Sequence, residues 1–199
     1  MRLWAMRTRP LSAKEEALLL AALPITLQER LLAADAAARQ KSLWTYSLLR
    51  LALWESYHME LPDIAWSEQG KPYFPRQQDL YFNLSHTEGA VLVGISQREI
   101  GVDIEKDREP PVRLRKVLQT EAPFFSQWIQ WEACAKCLGV SVLSLLRKGV
   151  QPGGVTYYEA ETFSGYWSGV AVQGGSADVT VRLVEQEELL PVRCDRGKD

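Results

Sequence analysis

The chain has 199 residues, 46% of them hydrophobic, and a net charge of −2. That length buries a proper core, as one domain or two small ones, and the charge leaves no basic excess for nucleic acid. No apolar run reaches the length of a bilayer span, so a soluble, globular protein without a membrane or nucleic-acid partner is expected.

The N-terminal half opens helical. Lys14, Glu15 and Glu16 stand directly before the apolar run Ala17 to Leu23. Their charges argue against a signal peptide, and Ser12 with Glu15 reads as a capping box. Thr26 and Glu29 repeat that spacing after Pro24. The run from Leu31 to Trp54 predicts one long helix or two, with Arg39, Lys41 and Arg50 along it, and Pro62 ends the region. Gln69-Gly70-Lys71-Pro72 is a turn signal. Leu80 to Leu84 reads as a strand, Ser85 to Gly89 as a turn, Ala90 to Ser96 as a second strand and Ile100 to Glu105 as a third.

The second half follows a charged stretch containing Pro110 and Pro111. Val112 to Leu118 is expected to be helical. Thr120 is placed to cap the next helix, which runs to about Leu138 and stops at Gly139. Phe124, Trp128, Trp131, Ala135 and Leu138 keep a helical spacing within it. Alternating segments from Val155 onward, broken by Gly165, Gly169, Gly174 and Gly175, predict a terminal antiparallel sheet. The polar tail from Arg193 to Asp199 is expected to fray. Each half mixes helices with antiparallel strands, so the fold class is α+β.

Cys134 and Cys137 form a C-x-x-C, and Cys194 is far away in the sequence. A zinc site needs a second pair, and a redox pair sits at a helix N-terminus rather than deep within one. Buried thiols in a reducing cytoplasm fit better.

The chemistry concentrates in two segments. Asp103 and Glu105 are two apart, so on a strand they share a face. Glu132 and Lys136 are four apart, so on a helix they share a face too. Either pair alone is usually a solvated surface. The apolar residues Ile100, Val102 and Ile104 interleave with the acids and mark a strand with one face in a core. If strand and helix pack together, three carboxylates converge. Bare, they repel by roughly 4 kcal/mol per pair at about 4 Å and an effective dielectric near 20. Such a cluster wants a divalent cation, and all-oxygen ligands suit Mg²⁺ with substrate phosphates completing its shell.

Ser85-His86 follows Phe82-Asn83-Leu84 at the end of a predicted strand. A hydroxyl and an imidazole there are good phosphate donors, and Lys71 on its stiff turn is another. The nucleophile elbow of the hydrolases is missing, as are the P-loop and dinucleotide fingerprints. The chain thus combines a metal-type cluster with scattered phosphate donors.

Gly70-Lys71-Pro72, Phe82-Asn83-Leu84-Ser85-His86, Gly101-Val102-Asp103-Ile104-Glu105 and Trp128 to Lys136, in that order, resemble the larger, surfactin-synthetase-activating class of 4′-phosphopantetheinyl transferases. The resemblance covers nearly the whole chain. It implies two similar α+β halves in a pseudo-twofold arrangement, residues 1–99 and 100–199, with the site in the cleft between them. It implies coenzyme A as donor, 3′,5′-ADP as product and a serine of an acyl or peptidyl carrier protein as acceptor, in fatty acid, polyketide or nonribosomal peptide synthesis. Asp103, Glu105 and Glu132 should hold Mg²⁺, or Mn²⁺. Lys136, Ser85, His86 and Lys71 should contact coenzyme A phosphates, and Arg50 the 3′-phosphate. Lys41, or Arg39 in its place, adds a further basic contact. Glu121 aligns with a proposed general base, and Lys136 joins it as a catalytic group. A cytoplasmic monomer is expected.

Trp131 stands where that family usually has a lysine beside the metal-ligand glutamate. Losing a preorganised charge typically costs roughly 10²–10³ in rate. Either Arg147 or Lys148 compensates, or the enzyme is slow or narrow, or its branch does without the lysine. The competing readings are a degenerate, non-catalytic coenzyme A or carrier-binding protein, and a Mg²⁺-dependent pyrophosphate hydrolase. Arg113, Arg115 and Lys116 offer a basic face that could steer an acidic carrier protein.

Overall fold

A computed structural model describes residues 1–118, 123–148 and 153–190. The chain opens on a strand, β1 (Arg2–Arg7), and not on a helix. Leu3, Trp4, Ala5 and Met6 are all fully buried. A strand covered on both faces shows no alternation, so its period-two signal is absent.

Helix α1 (Ala13–Ala21) has the expected capping box at Ser12 and Glu15. Helix α2 (Ile25–Leu32) starts from Pro24 with no side-chain cap. Thr26 lies inside its first turn, so the repeated spacing at Thr26 and Glu29 is not a cap. Asp35 accepts from the Ala38 amide and opens α3 (Ala36–Tyr57), so the long apolar run is two helices. The hairpin of β2 (Ala65–Trp66) and β3 (Pro72–Tyr73) turns at Gly70, whose φ is +82°.

Strand β4 (Tyr81–Thr87) extends through Ser85, His86 and Thr87, which the sequence reading puts in a turn. It pairs with β5 (Ala90–Ser96), and β5 with β1. Strand β6 (Ile100–Lys106) begins where the two halves were expected to join. It leads to helix α4 (Val112–Val117). Helix α5 (Phe124–Leu138) starts at Pro123 and ends at Gly139, which takes φ +66°. The expected cap Thr120 lies outside the described residues. Helix α6 (Val142–Lys148) precedes β7 (Val155–Glu159) and β8 (Tyr166–Gln173).

The last strand, β9 (Thr180–Val184), departs from the expected terminal antiparallel sheet. It pairs parallel with β1, giving the order β4-β5-β1-β9 in one sheet and β6-β8-β7 in the other. The fold is α+β. Helices α1 to α3 cover one face of the first sheet around Trp44, Leu48 and Leu53. The other face packs Leu3, Ala5 and Leu92 against Ile100, Val102 and Val170 of the second sheet. Helix α5 lies on the far face of that sheet, with Ala133, Cys134 and Cys137 against Ala171.

Gly101 sets how closely α5 lies on β6. A Cβ there would stand 2.1 Å from the Ala133 carbonyl oxygen and 2.3 Å from the Cys137 amide nitrogen. Only hydrogen fits, so the helix backbone rests on the strand.

Candidate active site

β6 is the edge of its sheet, and its outward amides face β4. Three β4 side chains meet them in step. Asn83 Oδ1 accepts from Val102 N at 2.9 Å, Ser85 Oγ from Ile104 N at 3.4 Å, and Thr87 Oγ1 from Lys106 N at 3.4 Å. β4 runs on to Thr87 because its backbone stays paired with β5 as far as Thr87 opposite Ala90. The β4 side chains in turn satisfy the otherwise bare edge of β6.

The same two hydroxyls hold the two acids of β6. Ser85 Oγ donates to Asp103 Oδ1 at 2.8 Å, and the Lys136 ammonium meets that same oxygen at 2.7 Å. Thr87 Oγ1 donates to Glu105 Oε2 at 3.2 Å, and the Arg108 guanidinium meets that oxygen at 3.2 Å. Each carboxylate thus has one oxygen engaged by a hydroxyl and a cation. Asp103 Oδ2 is buried and has no partner among the described residues.

Glu132, on α5 one turn before Lys136, is half-buried. Burial pushes its carboxyl above the usual range; Lys136 opposes this, and the charges of Asp103 and Glu105 add to it. Glu105 is likewise raised by burial and by Asp103, against Arg108 and Thr87. The three expected cation ligands therefore lie in one electrostatic neighbourhood. Among the described residues no three His, Cys, Asp or Glu side chains are arranged to hold a metal ion. The donor set still suits a hard cation. It is all oxygen, carries repelling charge, and includes one buried carboxylate oxygen without a partner.

The phosphate-type donors divide. His86 is exposed beside this cluster. The surrounding protein holds its imidazole below the usual value, and the positive charges of Lys41 and Lys136 add to this. Lys41 from α3, His86 from β4 and Lys136 from α5 thus face one region. Arg39 does not join them, because it pairs with Glu16 at 2.5 Å. Arg50 is half-buried, with its Nε buried and unpartnered among the described residues. Ser85 spends its hydroxyl on Asp103, Lys136 and the Ile104 amide. Lys71 points its ammonium at Glu99, 2.6 Å away, and at the Cys137 carbonyl, 3.1 Å away. It pins the β2–β3 hairpin to the end of α5. A cavity of about 360 Å³ opens between the Gly70-Lys71-Pro72 turn, Asn83 and Lys136. Glu121 lies outside the described residues.

Trp131 is half-buried and packs between the two apolar clusters flanking α5, against Val142. Arg147 is exposed. Of Lys148 the side chain lies outside the described residues. Arg108 is the cation the sequence reading missed. It lies 5.4 Å over the Phe125 ring while it holds Glu105. Its only signal in the sequence is the i,i+3 spacing from Glu105. Cys134 and Cys137 are buried and free, and burial pushes both thiols up to about 11. Cys194 lies outside the described residues.

No family model matches the chain. Among curated proteins, a 4′-phosphopantetheinyl transferase of Bacillus subtilis is 33% identical over 113 residues, which is 54% of this chain and 50% of that protein. The chain is similar to 4′-phosphopantetheinyl transferases. 4′-Phosphopantetheinyl transferase Sfp of Bacillus subtilis (strain 168) is 34% identical over 71 residues, 35% of this chain and 32% of that protein. 4′-Phosphopantetheinyl transferase gsp of Aneurinibacillus migulanus is 27% identical over 129 residues, 50% of this chain and 54% of that protein. The chain spans about half the length, or less, of these relatives. The resemblance read from the motifs therefore holds against curated proteins of that name. Among the described residues no helix is long and apolar enough to cross a membrane.

Proposed function

We propose that this chain transfers 4′-phosphopantetheine from coenzyme A to a serine of an acyl or peptidyl carrier protein, acting in the cytoplasm as a monomer of two pseudo-equivalent halves, 1–99 and 100–199, with β9 of the second half joined to the sheet of the first. The observation that carries the reading is the matched pair of carboxylates. Asp103 and Glu105 are each held by a hydroxyl and a cation through one oxygen.

Asp103, Glu105 and Glu132 are the residues to hold Mg²⁺, or Mn²⁺. Bound there, the ion would supply Lewis-acid neutralisation of charge on the transferring phosphate. The chain's own residues do the rest. Lys136 holds Asp103 and lends its positive charge to the site, its three N–H donors going to Ser85, Val102 and Asp103, and Ser85 fixes the Asp103 rotamer. His86, Lys41 and Arg50 supply charge and donors for coenzyme A phosphates, and Lys71 orders the turn that borders the cavity. The carrier serine oxygen bonds to the pantetheine-bearing β-phosphorus. The bond from that phosphorus to the bridging oxygen breaks, and 3′,5′-ADP leaves with the bridging oxygen. Glu121 is the residue to accept the serine proton. Positioning of this kind supplies much of the catalysis.

Arg108 lets the site work with Trp131 in place of a lysine, since it sets a second cation against the carboxylates. On α4, Arg113 and Lys116 are exposed while Arg115 pairs with Glu109. These face an acidic carrier. Mixing the protein with coenzyme A, Mg²⁺ and an apo carrier protein, then weighing the carrier by mass spectrometry, tests the proposal. A phosphopantetheine adduct is expected, and its absence across several carriers would refute it. Release of 3′,5′-ADP without any carrier would point to a hydrolase instead.

A further inference from the structure

Two buried polar atoms without partners among the described residues lie on the same face of the second sheet. One is Asp103 Oδ2, and the other is the Tyr157 hydroxyl oxygen on β7. Asp103 stands opposite Gly169 of β8 in the antiparallel register. The Tyr157 ring lies over that glycine. A Cβ at Gly169 would be 2.3 Å from the Tyr157 hydroxyl, so the hydroxyl occupies the space a side chain there would take. Directly opposed Cβ positions are about 4.5–5.5 Å apart. The Tyr157 hydroxyl therefore lies within about 8 Å of the Asp103 Cβ. Burial holds the phenol proton on, and the charges of Glu159, Asp103 and Cys134 add to that.

A buried hydroxyl without a partner costs about 1–3 kcal/mol. If Tyr157 served packing alone, phenylalanine would fill the place better. We propose that Tyr157 is a positioning residue for the candidate cation site, its hydroxyl donating across one ordered water to Asp103 Oδ2. One lone pair of that oxygen is then turned toward the cation and the other is satisfied from behind. The inference rests on Asp103 being a cation ligand. It adds an orienting partner for the oxygen that neither Ser85 nor Lys136 touches.

The test compares wild type with Tyr157→Phe, which keeps the ring over Gly169. Mn²⁺ affinity is read by titration calorimetry, and melting temperature separately. The positioning role predicts Mn²⁺ binding weakened roughly 10- to 100-fold, as for partners of metal ligands generally, with the melting temperature unchanged or raised. Equal Mn²⁺ affinity in the two proteins would overturn it, as would an absence of Mn²⁺ binding in both. If the variant fails to fold, Gly169→Ala is measured instead, since it displaces the hydroxyl and keeps the tyrosine; the same weakening is expected. Adduct formation by the wild type reads the transferase proposal separately, so either can fail alone.

Discussion

Ser85 on β4 and Asp103 on β6 are joined by a 2.8 Å hydrogen bond, both residues being buried. That bond ties one sheet to the other at the point where the chemistry is expected. Lys136 closes the triangle, 3.1 Å from the serine oxygen and 2.7 Å from the carboxylate. Removing Lys136 leaves Asp103 buried and uncompensated, and breaking a buried pair by one partner typically costs about 3–5 kcal/mol. Lys136→Met should therefore destabilise strongly. The double variant Asp103→Asn with Lys136→Met should recover part of the loss. Denaturant unfolding of the four proteins gives the coupling, and strictly additive losses would contradict it.

Gly101→Ala should damage the site from a distance. The new methyl meets backbone of α5 on both sides, so the helix must lift from β6. Overpacking of this kind costs about 1–3 kcal/mol. Glu132 and Lys136 move with the helix, so cation affinity should fall along with stability. Gly153→Ala, whose Cβ meets open space, is the control and should change neither. Calorimetric titration with Mn²⁺ and thermal melts check both.

Lys71 offers a test between two roles. Its motif suggests a phosphate contact, and its ammonium instead pairs with Glu99. If the ion pair is its working partner, Lys71→Met and Glu99→Gln should have similar, small effects that do not add. Glu99 is partly exposed, so the coupling should stay below about 1 kcal/mol. A large loss of coenzyme A affinity in Lys71→Met alone would show that the ammonium leaves Glu99 for phosphate.

His86 should take up a proton when coenzyme A binds. Protein surroundings, Lys41 and Lys136 hold its folded value below the ordinary 6.5. The unfolded chain then binds more protons here as pH falls through that value. The stability this site contributes is present above pH 6.5 and is lost as pH falls toward the folded value. An anionic phosphate seated among these cations reverses the bias, so coenzyme A should bind more tightly from about pH 7.5 down to about pH 6. Calorimetry in two buffers of different ionisation enthalpy should show proton uptake in wild type and none in His86→Gln. No uptake in wild type would remove His86 from the phosphate contacts.

Much of the local site was readable in the chain because it rests on short-range spacing. Asp103 and Glu105 on a half-buried strand, Glu132 and Lys136 on one helix face, the Ser12 cap and the Gly139 stop all follow from periods of two or 3.6 residues. What was not readable depends on distant partners. β1 has no alternation because both its faces are covered. β9 joins the first sheet through parallel pairing with β1, a contact spanning most of the chain. Ser85 to Thr87 have turn composition and become strand because their backbone pairs with Ala90 to Leu92 of β5. Arg108 lay unnoticed in a charged loop, because Glu105 and Phe125 become its neighbours only after folding.

Phosphopantetheine transfer by this protein is read in the mass of an apo carrier protein after incubation with it, coenzyme A and Mg²⁺. The carrier should gain one phosphopantetheine with wild type and none with Asp103→Ala or Glu132→Ala. Unmodified carriers with wild type, or full modification by either variant, would contradict it.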